Sequence, residues 1–199
     1  AGKNKILLSG FSFPTTISSF ELLGYKVKLI DVDTFNLDPD SLEKYIDNDT
    51  AAVVPTHFLG FPAKLEKIRE LCDSYDTLLV QDACETMNLQ VNNKLIYEYG
   101  DIITHSFYHP HHISSFGGGA VIVNNQELHD LAESVSHWGR ACKCHYDKSR
   151  CNAPEGMSHN FWYERLGVNV EISELNACFG RFYFQAWEEI ERVRKERYA

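Results

Sequence analysis

The sequence predicts an α/β fold, with a mostly parallel sheet that is covered by helices on both faces. Two observations support this. Short apolar runs typical of strands alternate with segments of helical spacing, and the motifs richest in polar residues, glycine and histidine directly follow several of those runs. In a parallel sheet such motifs meet at the carboxyl ends of the strands, where ligands bind. We therefore expect the functional site at that edge.

Strands are predicted where apolar residues run together, and helices where they recur at intervals of three and four. The predicted strands are Lys5–Leu8, Val27–Ile30, Ala51–Val54, Leu78–Val80, Ile102–Phe107 and Ala120–Val123. The predicted helices are Thr15–Leu23, a short one that opens at Asp38 and Pro39, one that opens at Pro62, Gln126–Trp138 and a long one from about Ile172. The helix after Pro62 is predicted to carry Leu65, Ile68, Cys72 and Tyr75 on one apolar face. Residues 142–163 lack periodicity and are predicted to form a long loop, which in a compact domain is usually functional or disordered.

Composition excludes several classes of function. The 199 residues hold 19 Lys and Arg against 28 Asp and Glu, a formal charge of −9. Such a chain is not expected to bind a nucleic-acid polymer or an anionic membrane. No apolar run reaches the roughly 18–20 residues that span a bilayer, and the first residues lack the apolar segment of a secretory signal. We expect a cytoplasmic location, where cysteines are more often metal ligands or catalytic than disulfide-bonded.

Two motifs at predicted strand ends could carry chemistry. Asp82 follows the run Leu78–Val80 and could face a ligand, although a helix cap or a surface charge would also explain it. The segment SFYHPHHISSFGGGAVIV places three histidines and three glycines between two strands, and glycine permits close approach of the backbone to a ligand. A glycine-rich hairpin with solvent-exposed histidines, or a zinc site, would also account for this segment.

Four cysteines form a third candidate site. Cys142, Cys144 and Cys151 lie within ten residues of one another in the predicted loop, and 57 residues separate Cys84 from the first of them. Four thiols suit either a zinc ion or an iron–sulfur cluster. Cys72 and Cys178 fall within predicted helices and are interpreted as packing residues.

Together these motifs resemble the DegT/DnrJ-type nucleotide-sugar aminotransferases, which have the fold of type I pyridoxal-phosphate enzymes. The segments that carry the resemblance, in the family's order, are IDVDTFNLDPDSLEKYI, AAVVPTHFLGFPAKLEKIRELC, LLVQDACE, SFYHPHHISSFGGGAVIVNN and LGVNVEISELNACFG. Usual members carry, five residues after the serine of the SF motif, a lysine that holds the cofactor covalently. Here that position is His111, as in the branch of the family that removes the C3 hydroxyl of 4-keto-6-deoxyhexoses.

The resemblance implies a pyridoxamine or pyridoxal 5′-phosphate cofactor and roles for seven residues. His111 would be the general base at the cofactor, and Tyr108 would lie near the reacting centre. The implied cofactor-binding residues are Asp82 at the pyridinium nitrogen, Glu85 facing the ring hydroxyl, Ser106 on the phosphate, Phe13 stacked on the ring and Asn169 reaching the phosphate across a dimer interface. The chain departs from the family pattern at Gly117, where a Glu is usual, and at Val168, where a Tyr is usual.

The cysteines resemble those of the iron–sulfur dehydrase branch that makes 3,6-dideoxyhexoses. That pattern, C-x57-C-x-C-x7-C, holds a 2Fe–2S cluster; here Cys84, Cys142, Cys144 and Cys151 give C-x57-C-x-C-x6-C. The resemblance implies a CDP-linked sugar substrate, an NAD(P)H-dependent flavin or iron–sulfur reductase as partner, and a homodimer. The alternatives are a zinc-binding, non-catalytic scaffold of the same fold, or an ordinary sugar aminotransferase.

The resemblance also predicts the domain organisation. Residues 1–199 would form the core of the large cofactor-binding domain, with a cysteine-containing loop at about residues 139–165. The segment that forms the family's N-terminal phosphate cup and the small C-terminal domain would lie outside this chain, so that the natural protein is expected to be longer.

Overall fold

The computed structural model describes residues 2–144, 149 and 151–198. It forms two compact units: Ala1–Asn124 with Leu175–Ala199, and Asn125–Glu174. The strands are β1 (Lys5–Ser9), β2 (Lys26–Ile30), β3 (Val32–Asp33), β4 (Asn36–Leu37), β5 (Thr50–Val54), β6 (Leu78–Asp82), β7 (Gln90–Val91), β8 (Lys94–Leu95), β9 (Ile102–Ser106) and β10 (Gly119–Val123). The helices are α1 (Pro14–Glu21), α2 (Pro39–Glu43), α3 (Leu65–Ser74), α4 (Gln126–Ser136), α5 (Glu174–Gln185) and α6 (Trp187–Tyr198).

The first unit is built on a six-stranded sheet in the order β2-β1-β5-β6-β9-β10. Every neighbouring pair is parallel except β9 and β10, which are antiparallel. The α/β fold with a mostly parallel sheet is thus confirmed. The order reverses between β1 and β5, because β2 lies on one side of β1 and the later strands on the other. Such a reversal opens a crevice at the carboxyl ends of the strands, the expected place for a ligand.

Both faces of the sheet are buried at the central strands β1 and β5, whose side chains alternate between the two faces. In β1, Leu7 belongs to the larger core, whereas Ile6 and Leu8 belong to a smaller core on which Ile17 and Phe20 of α1 pack. The predicted apolar face of α3 is confirmed, since Leu65, Ile68 and Cys72 are fully buried and Tyr75 packs against them. Burial of each Leu or Ile side chain stabilises the fold by roughly 1.5–3 kcal/mol. The core therefore holds the ends of the strands in fixed positions.

Two predicted helices differ from those observed. The helix expected to open at Pro62 begins at Leu65, because Phe61 before the proline is extended and its carbonyl accepts a bond from the Asn36 side chain. The long helix expected from Ile172 is divided into α5 and α6 at Ala186, whose N–H bonds to Tyr183 O three residues back (3.1 Å). No side chain of α5 is buried among the described residues.

The second unit contains α4 and the cysteine-containing loop. Asn125 caps α4 by accepting bonds from the N–H groups of Glu127 and Leu128. Two segments then pair antiparallel at the base of the loop: Ala141 N–H bonds to Trp162 O at 2.9 Å, and Glu164 N–H to Gly139 O at 3.0 Å. Gly139 has a φ of +84°, and a Cβ there would lie 1.8 Å from Arg165 O, so this base requires glycine.

No helix among the described residues has the length and apolar character needed to span a bilayer.

Candidate active site and thiol cluster

Asp82 ends β6 and is 7% exposed. Thr16 Oγ1 donates to its Oδ2 at 2.9 Å, and the N–H of Cys84 donates to its Oδ1 at 3.2 Å. Within the described part of the chain, no Lys or Arg pairs with this carboxylate. A buried carboxylate that has only neutral donors is well suited to a cationic partner, such as the protonated ring nitrogen of a pyridoxal cofactor.

The buried side chain of His57, near Asp82, has a structural role. It is fully buried; Ala63 N–H donates to its Nδ1 at 3.2 Å, so its Nε2 carries the proton and donates to Gln81 Oε1 at 2.8 Å. Gln81 in turn donates to Ile96 O at 2.8 Å. Burial lowers the pKa of His57. This effect is larger than those of the hydrogen bond with Gln81 and the negative charge of Asp82, both of which raise the pKa. Both imidazole nitrogens are satisfied, so this histidine holds the strand ends together.

The lowered pKa of His57 predicts a loss of stability in acid. Below about pH 6.5 the unfolded chain protonates this imidazole while the folded chain keeps it neutral. The free energy of unfolding should therefore fall between pH 7 and pH 5, by up to about 1.4 kcal/mol per pH unit for one group. Chemical denaturation across this range should show a shallower fall for His57→Gln than for the wild type. An identical slope in His57→Gln and in the wild type would contradict the prediction.

The predicted histidine motif forms the connection between β9 and β10. Its base is closed by bonds from Phe107 N–H to Gly118 O (3.0 Å) and from Ser115 N–H to Phe107 O (2.9 Å). Ser106, the last residue of β9, accepts a bond from Tyr108 N–H on its Oγ (3.2 Å). Tyr108 is 54% exposed, and its ring centroid lies 6.4 Å from that of His111. Tyr108 and His111 thus lie near one another on this connection, and their catalytic roles stay predictions.

His111 lines a cleft of about 560 Å³ within the first unit. The other lining residues are Leu59, Glu85, Pro110, His112, Arg194, Lys195 and Tyr198. Arg194 donates to His111 O at 3.2 Å, which ties the connection to α6. Glu85 accepts the N–H of Leu59 at 2.6 Å on its Oε2. The cleft therefore places the predicted base and a predicted cofactor ligand beside two cationic side chains; Asp82 is not among its lining residues.

Phe13 and Asn169 are the remaining predicted cofactor residues. Phe13 precedes α1 and is 68% exposed, so its ring has a free face. Asn169 belongs to the second unit, where it is exposed and forms an isolated antiparallel bridge with His137. Thr16, the partner of Asp82, was not predicted as a site residue, although it follows Phe13 by only three positions.

The thiol cluster consists of Cys142, Cys144, Cys151 and His159, whose ligand atoms all lie within 4.8 Å of one another. Cys142 Sγ is 3.8 Å from Cys151 Sγ, and Cys144 Sγ is 3.2 Å from His159 Nδ1. The structure thus brings together three of the four predicted cysteine ligands. His159 was not predicted; its only signal is a position eight residues after Cys151.

Cys84, the fourth predicted ligand, belongs to the first unit. It follows Asp82 by two residues and is partly buried. Burial, reinforced by the negative charge of Asp82, raises the pKa of its thiol to about 12. Its assignment as a metal ligand stays a prediction.

Comparison with known proteins gives consistent matches. The model of the DegT/DnrJ/EryC1/StrS aminotransferase family matches residues 1–199. Lipopolysaccharide biosynthesis protein RfbH of Salmonella typhimurium is 29% identical over 98% of this chain and 48% of its own length. A dTDP-4-dehydro-2,6-dideoxy-D-glucose 3-dehydratase of Saccharopolyspora spinosa is 30% identical over 88% of this chain and 40% of its own. The chain thus spans about half the length of the curated relatives it matches.

Among solved structures, that of the E. coli GDP-4-keto-6-deoxy-D-mannose-3-dehydratase with bound hydrated PLP superposes with a TM-score of 0.87 at 24% identity. The match covers 98% of this chain and 51% of that one. At this identity the likeness establishes the fold.

Proposed function

Because the chain belongs to the DegT/DnrJ/EryC1/StrS aminotransferase family, we propose that it is a pyridoxamine-phosphate-dependent nucleotide-sugar 3-dehydrase. The proposed reaction removes the C3 hydroxyl of a 4-keto-6-deoxyhexose, with CDP as the nucleotide. One observation supports this assignment above all: the β9–β10 connection presents His111, and no lysine, to the cleft. An imidazole cannot replace an amine in covalent attachment of the cofactor, but it can move a proton.

The residues of the first unit suit this cofactor. Bound pyridoxamine phosphate supplies an amine for the 4-keto group and a ring that accepts electrons. Asp82, a buried carboxylate held by Thr16, would keep the ring nitrogen protonated. Ser106 would donate its hydroxyl to the phosphate, while Phe13 offers a free ring face for stacking. Glu85 would face the ring hydroxyl. Asn169, which belongs to the second unit, would reach the phosphate across a dimer interface.

His111 would act as the general base. It would take a proton from the C4′ carbon of the cofactor and return one during turnover, which typically contributes 10²- to 10⁴-fold to rate. The bond from Arg194 to His111 O helps to hold this loop in place. Tyr108, whose ring lies close to His111, would contact the reacting centre. Arg194 would offer its guanidinium to the diphosphate of a nucleotide, whereas Lys195 pairs with Glu191 (2.9 Å).

The finer part of the proposal is an electron relay that follows loss of the hydroxyl. Its centre would be an iron–sulfur cluster, fed by an NAD(P)H-dependent flavin or iron–sulfur reductase. Convergence of Cys142, Cys144 and Cys151 supports a thiolate-bound metal centre. For the fourth ligand the sequence predicts Cys84. A homodimer is also proposed; exposed apolar side chains on α5, such as Leu175 and Phe182 (69% exposed each), support an interface there.

The product formed from a 4-keto-6-deoxy sugar tests the function. The full chain, supplied with pyridoxamine phosphate and CDP-4-keto-6-deoxyglucose, should release the C3 oxygen as water even without a reductase, because the elimination itself needs no electrons. Mass spectrometry of the sugar, with ¹⁸O placed at C3 of the substrate beforehand, measures this as loss of the label. Formation of a 4-amino sugar with glutamate would instead identify an aminotransferase. Metal binding with neither product would indicate the non-catalytic zinc scaffold.

A further inference from the structure

The segment of residues 166–171 lies against the end of α4 in the second unit. The N–H of Val168 bonds to a carbonyl of α4 at 2.8 Å. A Cβ at Gly167 would lie 2.2 Å from Gly139 N, so the two backbones are in direct contact there. Asn169 in the middle of the segment is exposed, which leaves its side chain accessible to a ligand while its backbone is held.

Burial of apolar side chains does not hold this segment in place. In the chain by itself, Leu166, Val168 and Val170 are each more than half exposed. A segment with so few buried apolar contacts has low local stability, because it depends mainly on its hydrogen bonds. The side chain of Asn169 therefore keeps a fixed position only where polar contacts hold the segment on either side of it.

An ion pair provides such a contact next to Asn169. His137, the residue that follows α4, places its Nε2 at 3.0 Å from Oε1 of Glu171. His137 also forms an antiparallel bridge with Asn169, and Glu171 follows Asn169 by two positions. The backbone contact at Gly167 and the ion pair at Glu171 therefore hold the segment on either side of the asparagine.

Both ring nitrogens of His137 face acceptors. Glu133 O lies 2.9 Å from Nδ1, and the carboxylate of Glu171 lies at Nε2. Ser136 Oγ is also 2.9 Å from Nδ1, but it donates its own proton to Glu133 O at 3.0 Å. Carbonyl and carboxylate oxygens only accept, so the ring binds as the imidazolium, with one N–H for each. The helix dipole also favours a cation at the C-terminal end of α4, and the pair is a charge-assisted hydrogen bond.

We propose that His137 and Glu171 are positioning residues, whose ion pair fixes the segment that presents Asn169 to the phosphate of the cofactor. The inference rests on the proposed function, which assigns Asn169 to that phosphate, and it adds two residues that would not touch the cofactor themselves. A binding group has to be held to within about 0.5 Å by its supporting contacts. Loss of the pair should therefore weaken the hydrogen bond of the Asn169 amide without removing it.

Titration of the full chain with pyridoxamine phosphate tests the positioning role. Asn169→Ala removes a hydrogen bond to a charged group and should lower the affinity by about 10- to 100-fold. Glu171→Lys replaces attraction of the imidazolium by repulsion and should lower it by up to about 10-fold. His137→Glu combined with Glu171→Lys exchanges the two charges and should restore most of the affinity, which separates loss of the pair from misfolding. His129→Gln, the matched control, removes another histidine of this unit that lies beside a carboxylate, Asp130, and should bind as the wild type does.

A double-mutant cycle decides between positioning and a general loss of stability. If the pair acts through Asn169, adding Glu171→Lys to Asn169→Ala should cause no further loss of affinity. A further loss as large as the one that Glu171→Lys causes alone would refute the inference. So would an unchanged affinity in Glu171→Lys, or Asn169→Ala that binds like the wild type.

The dehydration assay separates this inference from the proposed function. A wild type that dehydrates the sugar, together with a Glu171→Lys variant of unchanged affinity, would overturn the positioning role alone. A wild type that binds no pyridoxamine phosphate would overturn both.

Discussion

Replacing His111 with asparagine should lower the rate of 3-dehydration by roughly 10²- to 10⁴-fold, the usual contribution of a positioned general base. Asparagine is close in size but cannot accept a proton at neutral pH, and the bond from Arg194 goes to the backbone carbonyl of residue 111, which the substitution retains. The affinity for pyridoxamine phosphate should therefore change little. Single-turnover kinetics and exchange of the C4′ proton with deuterium would measure the catalytic loss directly.

The control for this prediction is His109, two residues away on the same connection and exposed. His109→Asn should keep the activity, whereas equal losses in both variants would point to disturbance of the loop. The complementary variant His111→Lys should gain covalent attachment of pyridoxal phosphate that borohydride reduction makes permanent. If the cofactor cannot be trapped on residue 111, the lysine-equivalent position has been assigned to the wrong residue.

Much of the first unit follows from the sequence, because its signals are local. The runs at Ala51–Val54 and Leu78–Val80 are strands in the structure, and the spacing of Leu65, Ile68 and Cys72 predicted the buried face of α3. Helix ends were less predictable, since they depend on distant partners. The start of α3 depends on the side chain of Asn36 bonding to Phe61 O, a contact that no pattern near Pro62 reveals.

The candidate site residues also divide into those that a local sequence signal marks and those that depend on distant contacts. Asp82 and His111 could be found because strand ends and a family motif mark them, and the cysteines because three lie within ten residues. Thr16 and His159 could not be found in this way. Thr16 meets Asp82 across 66 positions of sequence. His159 meets Cys144 only because the antiparallel base at Gly139 and Glu164 folds the loop back on itself.

Asp82→Asn should produce the other large effect. Removing one partner of a buried charged pair costs about 3–5 kcal/mol, or about two to four powers of ten in cofactor affinity or rate. The single side-chain oxygen of asparagine can still accept the Cys84 N–H, and its NH2 can donate to the Thr16 hydroxyl oxygen, so the fold of the strand end should survive. The loss should appear as a lower pKa of the ring nitrogen in bound pyridoxal phosphate, which its absorbance as a function of pH reports.

Thr16→Val provides a graded comparison. It removes one hydrogen bond to a charged group, which costs about 1.5–3 kcal/mol, and it leaves the carboxylate in place. Its effect on cofactor affinity should be smaller than that of Asp82→Asn. Asp76→Asn, a fully exposed carboxylate at the end of α3, should change neither the affinity nor the absorbance. A cofactor that binds equally well to the wild type and Asp82→Asn, with an unchanged ring-nitrogen pKa, would mean that this carboxylate does not contact it.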